Sequence, residues 1–183
     1  MFIKPFASME DKKMCVSRDA KVAIIMGSDS DWSVMKSCLK ILKNFEIDCE
    51  VMVCSAHRTP DKASEYAKNA EANGIDVIIA AAGKAAHLPG VLAAYTPIPV
   101  IGVPIKSSTM DGLDSLLSIV QMPTGIPVAT VAIDGAENAA LLAIQILSVA
   151  YHELRQKMID YKKSLAEKVE KKNIELQKKI LEM

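Results

Sequence analysis

KVAIIMGSDSDWSVMKSCLKILKN, residues 21–44, carries the reading that decides the fold. Its first seven residues are apolar almost throughout, without polar alternation, as a strand covered on both faces requires. A polar turn follows at 27–32, and Val34, Leu39, Ile41 and Leu42 then mark a helix over 31–44. A buried strand leading directly into a helix is the building unit of a parallel sheet.

The unit recurs along the chain. The apolar runs CEVMVCS (49–55), DVIIAAAG (76–83), PVIGVPI (99–105) and VATVAID (128–134) alternate with helical patterns over 60–73, 85–95, 111–121 and 136–150. Five such units joined by right-handed crossovers predict an α/β fold, a three-layer α/β/α sandwich with a parallel sheet in flavodoxin-like order. Thr59 is placed to cap the second helix, with Pro60 at its first position and Gly74 at its end. Asp111 and Asp114 are placed as an acidic cap on the fourth.

The 183 residues divide into a leader (1–20), an α/β domain (21–150) and a C-terminal amphipathic helix (151–183). That helix carries Leu154, Met158, Tyr161, Leu165, Val169, Leu176 and Ile180 as a stripe with no strand of its own to cover. The stripe is expected to lie on the domain or on a neighbouring subunit. With 22 basic against 22 acidic side chains and eight aromatic residues, the chain lacks the surplus charge and the stacking platform of a nucleic-acid binder. No apolar run reaches the roughly 18 residues of a membrane span, and the first twenty residues do not read as a secretory signal, so a cytoplasmic protein is expected. Cys15, Cys38, Cys49 and Cys54 form no C-x-x-C pair, which points to reduced thiols rather than zinc or disulfides.

Ligands of an open parallel sheet bind beyond the carboxyl ends of the strands. This rule selects four loops: GSDSDW (27–32), SAHRTP (55–60), AAGKAAHLPG (81–90) and PIKSSTMDG (104–112). In the first, Gly27, Ser28 and Ser30 suit a phosphate, and Asp31 suits ribose hydroxyls or simple capping. In the second, Ser55, His57 and Arg58 place a proton carrier beside a planar fork matched to phosphate. In the third, Gly83 lets a flat ligand approach the backbone, Lys84 can meet an anionic group, and His87 can touch ligand or cap a helix. A phosphoacceptor site, a Walker loop and a dinucleotide fingerprint are all missing, and His57, His87 and His152 make no obvious metal set. The site therefore reads as metal-free acid-base chemistry on a phosphorylated small molecule.

MGSDSDW, SAHRTPD, AAHLPG, GLDSLLSIVQMP and GIPVATVAI, in this order and spacing over about residues 21–150, closely resemble the bacterial-type N5-carboxyaminoimidazole ribonucleotide mutases of purine biosynthesis. The resemblance implies a cofactor-free and metal-free transfer of a carboxylate from an exocyclic nitrogen to ring carbon C4. It also implies homo-octamers whose C-terminal helices reach across neighbours. By motif, His57 is the proton carrier, while Ser28, Asp31 and Arg58 hold the ribose phosphate, with Ser55 and the Gly83 region around them. The chain departs from the family's usual GAGGAAHLPG in having Ala81 and Lys84 for two glycines. Two alternatives stand beside this reading: a related carboxylase acting directly on carbon dioxide and the unmodified ribonucleotide, and a non-catalytic nucleotide-binding protein of the same fold.

Overall fold

The computed structural model describes residues 19–183, so most of the leader and Cys15 lie outside the described residues. Five strands, β1 (Lys21–Met26), β2 (Asp48–Val53), β3 (Val77–Gly83), β4 (Val100–Ile105) and β5 (Ala129–Thr130), form one sheet in the order β2-β1-β3-β4-β5. Every neighbouring pair is parallel. Six helices connect and follow them: α1 (Trp32–Asn44), α2 (Pro60–Asn69), α3 (Leu88–Ala93), α4 (Leu113–Val120), α5 (Ala136–Leu147) and α6 (His152–Leu181). The flavodoxin-like order and the three layers match the sequence expectation.

The pleat of β1 divides the core. Val22, Ile24 and Met26 face a layer containing Met35, Cys38 and Leu42 of α1 and Ala139, Ala143 and Ile144 of α5. Ala23 and Ile25 face the opposite layer, with Ala63 and Ala67 of α2, Leu92 of α3 and Ile119 of α4. Alternate residues point to opposite faces, so a strand buried on both must be apolar at every position, as this run is. Each large aliphatic side chain buried here contributes about 1.5–3 kcal/mol relative to exposure.

Several local expectations are corrected. β2 is an edge strand, and Val51 and Val53 are 40% and 44% exposed, so it is not covered on both faces. Only two residues of the 128–134 run are strand; beyond them the chain stays tethered to β4 by the Val131 and Asp134 amides, which donate to the Gly102 and Pro104 carbonyls. Thr59 makes no side-chain cap on α2, because its hydroxyl is committed to the backbone of Ser55. Neither Asp111 nor Asp114 caps α4: Gly112 occupies the cap with φ 94°, and Asp114 accepts from the Ser107 hydroxyl instead. α2 also ends at Asn69, with Gly74 at φ 77° terminating the turn beyond it.

The start of α6 lies on its own domain. Leu154 and Met158 are buried in the α1/α5 layer, Tyr161 packs edge-to-face on Phe45 at 5.8 Å, and the Lys157 ammonium donates to the Phe45 carbonyl and pairs with Glu46. Farther along, Leu165, Val169, Leu176 and Ile180 are exposed. No helix among the described residues is long and apolar enough to cross a membrane.

Gly102 shows how closely sheet and helix pack, because a Cβ there would clash with the Ile119 side chain and lie 3.1 Å from Val128 Cγ1. Overpacking of this kind costs about 1–3 kcal/mol. Gly102→Ala is expected to lower unfolding free energy by about that amount, read as a reduced urea midpoint at unchanged slope.

Candidate active site

Met26, Val53, Gly83 and Ile105 end their strands at the same edge of the sheet. The ladder continues one step further on both sides of β1: the Gly27 amide donates to the Ala81 carbonyl at 2.9 Å, and the Cys54 amide to the Met26 carbonyl at 2.8 Å. The loops after β1, β2 and β3 thus leave from adjacent positions. With the loop after β4 they surround a cavity of about 780 Å³.

The first loop is a short 3₁₀ turn, Asp29–Asp31, closed by a capping box in which Ser28 Oγ accepts from the Ser30 amide while Asp31 accepts from the Ser28 amide at 3.1 Å. The capping residue is therefore Ser28, and Asp31 reaches back to it. Ser30 Oγ donates to Ser28 Oγ at 2.9 Å, which gathers both hydroxyls at the rim. Asp31 is 5% exposed, and burial pushes its carboxyl above the usual range against the opposing pull of the Ser28 amide.

The second loop is a turn folded on itself. Thr59 Oγ1 donates to the Ser55 carbonyl at 2.9 Å and accepts from the Ser55 amide, while Ser55 Oγ accepts from the Arg58 amide. These bonds lift His57 and Arg58 out of the turn toward the cavity. The Arg58 guanidinium then spans two loops, donating to Ser55 Oγ through Nε and to the Gly27 carbonyl through Nη2, both at 3.4 Å. A planar fork held beside two hydroxyl-bearing turns suits a phosphate.

In the third loop Gly83 packs against β4, where a Cβ would stand 3.4 Å from the Ile105 carbonyl oxygen. Lys84 follows with φ 56°, in the left-handed region that favours glycine. His87 precedes α3, and its Nδ1 lies 2.8 Å from Nε2 of His57, the ring planes inclined at 81°. His87 is not a side-chain cap on that helix.

All nine residues singled out from the sequence (Ser28, Ser30, Asp31, Ser55, His57, Arg58, Gly83, Lys84 and His87) line this one cavity. Sequence reasoning missed Asp134, which also lines it and accepts from the Lys106 amide at 2.9 Å. Its signal was its place at the end of the fifth apolar run. Lys106 lines the cavity as well, its ammonium paired with Asp111 at 3.2 Å. The lining thus holds the cationic side chains Arg58, Lys84 and Lys106, the last paired with Asp111, and the carboxylates Asp31 and Asp134. Among the described residues no group of three His, Cys, Asp or Glu side chains is placed to hold a metal ion. The described cysteines, Cys38, Cys49 and Cys54, are free. Burial pushes the Cys38 thiol up to about 12 and the Cys49 thiol up to about 11.

The raised carboxyl of Asp31 fixes the sign of a pH effect. A carboxyl held above its unfolded value opposes folding when ionised, and that cost disappears as pH falls through the folded value. Asp31→Asn keeps a carbonyl acceptor for the Ser28 amide, so it is expected to leave stability at pH 7 unchanged or raised by up to about 1 kcal/mol. Its advantage over wild type should shrink as pH drops below the wild-type folded value; denaturant melts at pH 7 and pH 4 check this.

Residues 21–168 match the family described as AIR carboxylase. Among curated proteins, the chain is 66% identical over 145 residues to the N5-carboxyaminoimidazole ribonucleotide mutase of Pyrococcus abyssi, covering 79% of this chain and 83% of that protein. It is 54% identical over 163 residues to the protein of the same name from Mycobacterium leprae, covering 89% and 95%. A phosphoribosylaminoimidazole carboxylase of Candida glabrata is 52% identical over 160 residues, covering 87% of this chain but 28% of that longer protein. Among solved structures, Treponema denticola PurE superimposes with a TM-score of 0.79 at 30% identity, covering 86% of this chain and 98% of that one. With the loops after β1, β2 and β3 gathered around one cavity and relatives this similar over most of its length, the chain belongs to the AIR carboxylase family.

Proposed function

We propose that the chain is an N5-carboxyaminoimidazole ribonucleotide mutase of purine biosynthesis, converting its substrate to 4-carboxy-5-aminoimidazole ribonucleotide. The observation that carries this reading is the meeting of a proton carrier, His57, with an anion-holding rim built from Arg58, Ser28 and Ser30 in a single cavity. Arg58 and the two hydroxyls take the phosphate, and Asp31 accepts from the ribose. Ser55 orients Arg58, and Gly83, in the cavity lining, offers backbone for the flat ring to lie against.

The chemistry then needs one acid-base group. His57 gives a proton to the exocyclic nitrogen as the carbon–nitrogen bond breaks, the electron pair remaining on nitrogen and carbon dioxide leaving. C4 of the electron-rich ring attacks that carbon dioxide, and the C4 proton returns to His57. The substrate ring supplies the electron push, so the sequence of steps calls on no cofactor or metal. Proton transfer of this kind is worth about 10²–10⁴ in rate. Holding the carbon dioxide beside C4 supplies the rest by effective concentration, and Ala82 and Ala85 give that part of the wall small apolar side chains.

The reading extends to a cytoplasmic homo-octamer. Val51 and Val53 of β2 and Leu113, Leu117 and Val120 of α4 are exposed apolar side chains on the protomer, and the outer part of α6 adds more. Exposed apolar side chains on the sheet edge and on these helices support burial against further copies.

His57→Asn is expected to lower kcat by about 10³-fold while product-nucleotide binding changes little, and Arg58→Ala to raise KM more than it lowers kcat. Steady-state kinetics and calorimetry check both. Turnover of the unmodified ribonucleotide at low bicarbonate, at rates equal to the carboxylated one, would make the direct carboxylase the correct reading. An unchanged rate in His57→Asn contradicts both activities.

A further inference from the structure

We propose that His87 is a positioning residue that fixes the tautomer of His57, so that Nδ1 of His57 is the atom that gives and takes the proton. This rests on the mutase reading and adds a role that the reading leaves open. Nε2 of His57 and Nδ1 of His87 are 2.8 Å apart, a distance at which one proton lies between them. Two assignments satisfy that contact when both rings are neutral. Either His57 donates from Nε2, or His87 donates from Nδ1.

The reaction separates the two. His57 must carry a proton on both ring nitrogens before it protonates the substrate, and in that state its Nε2 can only donate. A proton on His87 Nδ1 would then point at it. Acceptance by His87 Nδ1 is the arrangement that fits both protonation states of His57 without either ring turning over. His87 is then a neutral imidazole protonated at Nε2. The cycle balances on His57 alone: its Nδ1 proton leaves for the exocyclic nitrogen, Nε2–H remains donated to His87, and the C4 proton later returns to Nδ1. The other charged groups lining the cavity are Asp31, Arg58, Lys84, Lys106 and Asp134. In direct contact with His57, the His87 Nδ1 lone pair gives the Nε2 proton an acceptor in both states of the ring.

The geometry also explains why the contact can form. His57 projects from the Thr59-closed turn after β2, and His87 from the end of the loop after β3, from opposite neighbours of β1. The rings meet edge to face, with centroids 5.0 Å apart.

Three proteins test this: wild type, His87→Ala and His87→Asn. The Asn side chain places a carbonyl oxygen near the position of Nδ1 and so keeps an acceptor, whereas Ala removes it. Ring nitrogen-15 spectra of His57 in the ligand-free protein are expected to show Nε2 protonated and Nδ1 bare in the neutral ring of wild type and His87→Asn, and a tautomer mixture in His87→Ala. On the carboxylated ribonucleotide, His87→Ala should lose about 10²-fold or more in kcat with KM within about threefold, and His87→Asn should stay within about tenfold of wild type. A proton found on Nδ1 of neutral His57 in wild type overturns the proposal, as does an unchanged kcat in His87→Ala or equal losses in the two variants. Wild-type protein that converts no substrate overturns the mutase reading instead, while the spectra still decide the pairing.

Discussion

The site depends on β1 being hydrogen-bonded on both sides by strands that come later in the chain. Because β2 and β3 flank it in parallel register, their carboxyl ends stand at one edge with that of β1. The Gly27 and Cys54 amides extend the pairing just past the strand ends and hold the departing loops together. Loops distant in sequence, carrying Ser28, His57 and His87, then converge without a long excursion by any of them. This is the crevice that open parallel sheets offer to ligands at the point where strand order reverses.

The scaffold beneath the crevice is closely packed and the rim is locally costly. Ala80, Ala81 and Ala82 of β3 are buried beside Ile25 and Met26 of β1, so the floor under the loops is close-packed and made of small side chains on that strand. Above it, Asp31 is a buried carboxylate, and Lys84, Asp111 and Asp134 adopt positive φ in the loops after β3, β4 and β5. Strained backbone and a desolvated charge each oppose folding by on the order of 1–3 kcal/mol, and they persist where the surrounding structure over-determines them. Their concentration around the cavity that holds His57 follows the usual division between a stable core and a functional rim.

What was legible in the sequence tracks what local pattern can encode. β1, β3 and β4 are buried on both faces, and their unbroken apolar runs said so. CEVMVCS looked the same although β2 is a half-open edge, because an apolar side chain left exposed at a sheet edge has the same letter as one buried in the core. Thr59 read as a cap by position, yet its hydroxyl closes the turn that carries His57, a choice set by three-dimensional geometry. The strand-end rule located His57, Arg58 and Lys84 through loop position alone. It could not reveal that His57 meets His87, since that contact spans thirty residues and requires strand order. Asp134 was overlooked because its loop had no other chemistry to draw attention to it. The stripe of α6 was visible as periodicity, and the domain covers its first part, through Leu154 and Met158.

The central claim is that one imidazole, His57, exchanges a proton with the reacting end of a ribonucleotide whose phosphate sits at Arg58. A crystal structure of the protein with 4-carboxy-5-aminoimidazole ribonucleotide tests it most directly. The account predicts the phosphate beside Arg58 and Ser28, and Nδ1 of His57 within about 3.5 Å of C4 or the amine bonded next to it. A nucleotide bound with its base remote from His57, or with its phosphate away from Arg58, contradicts it.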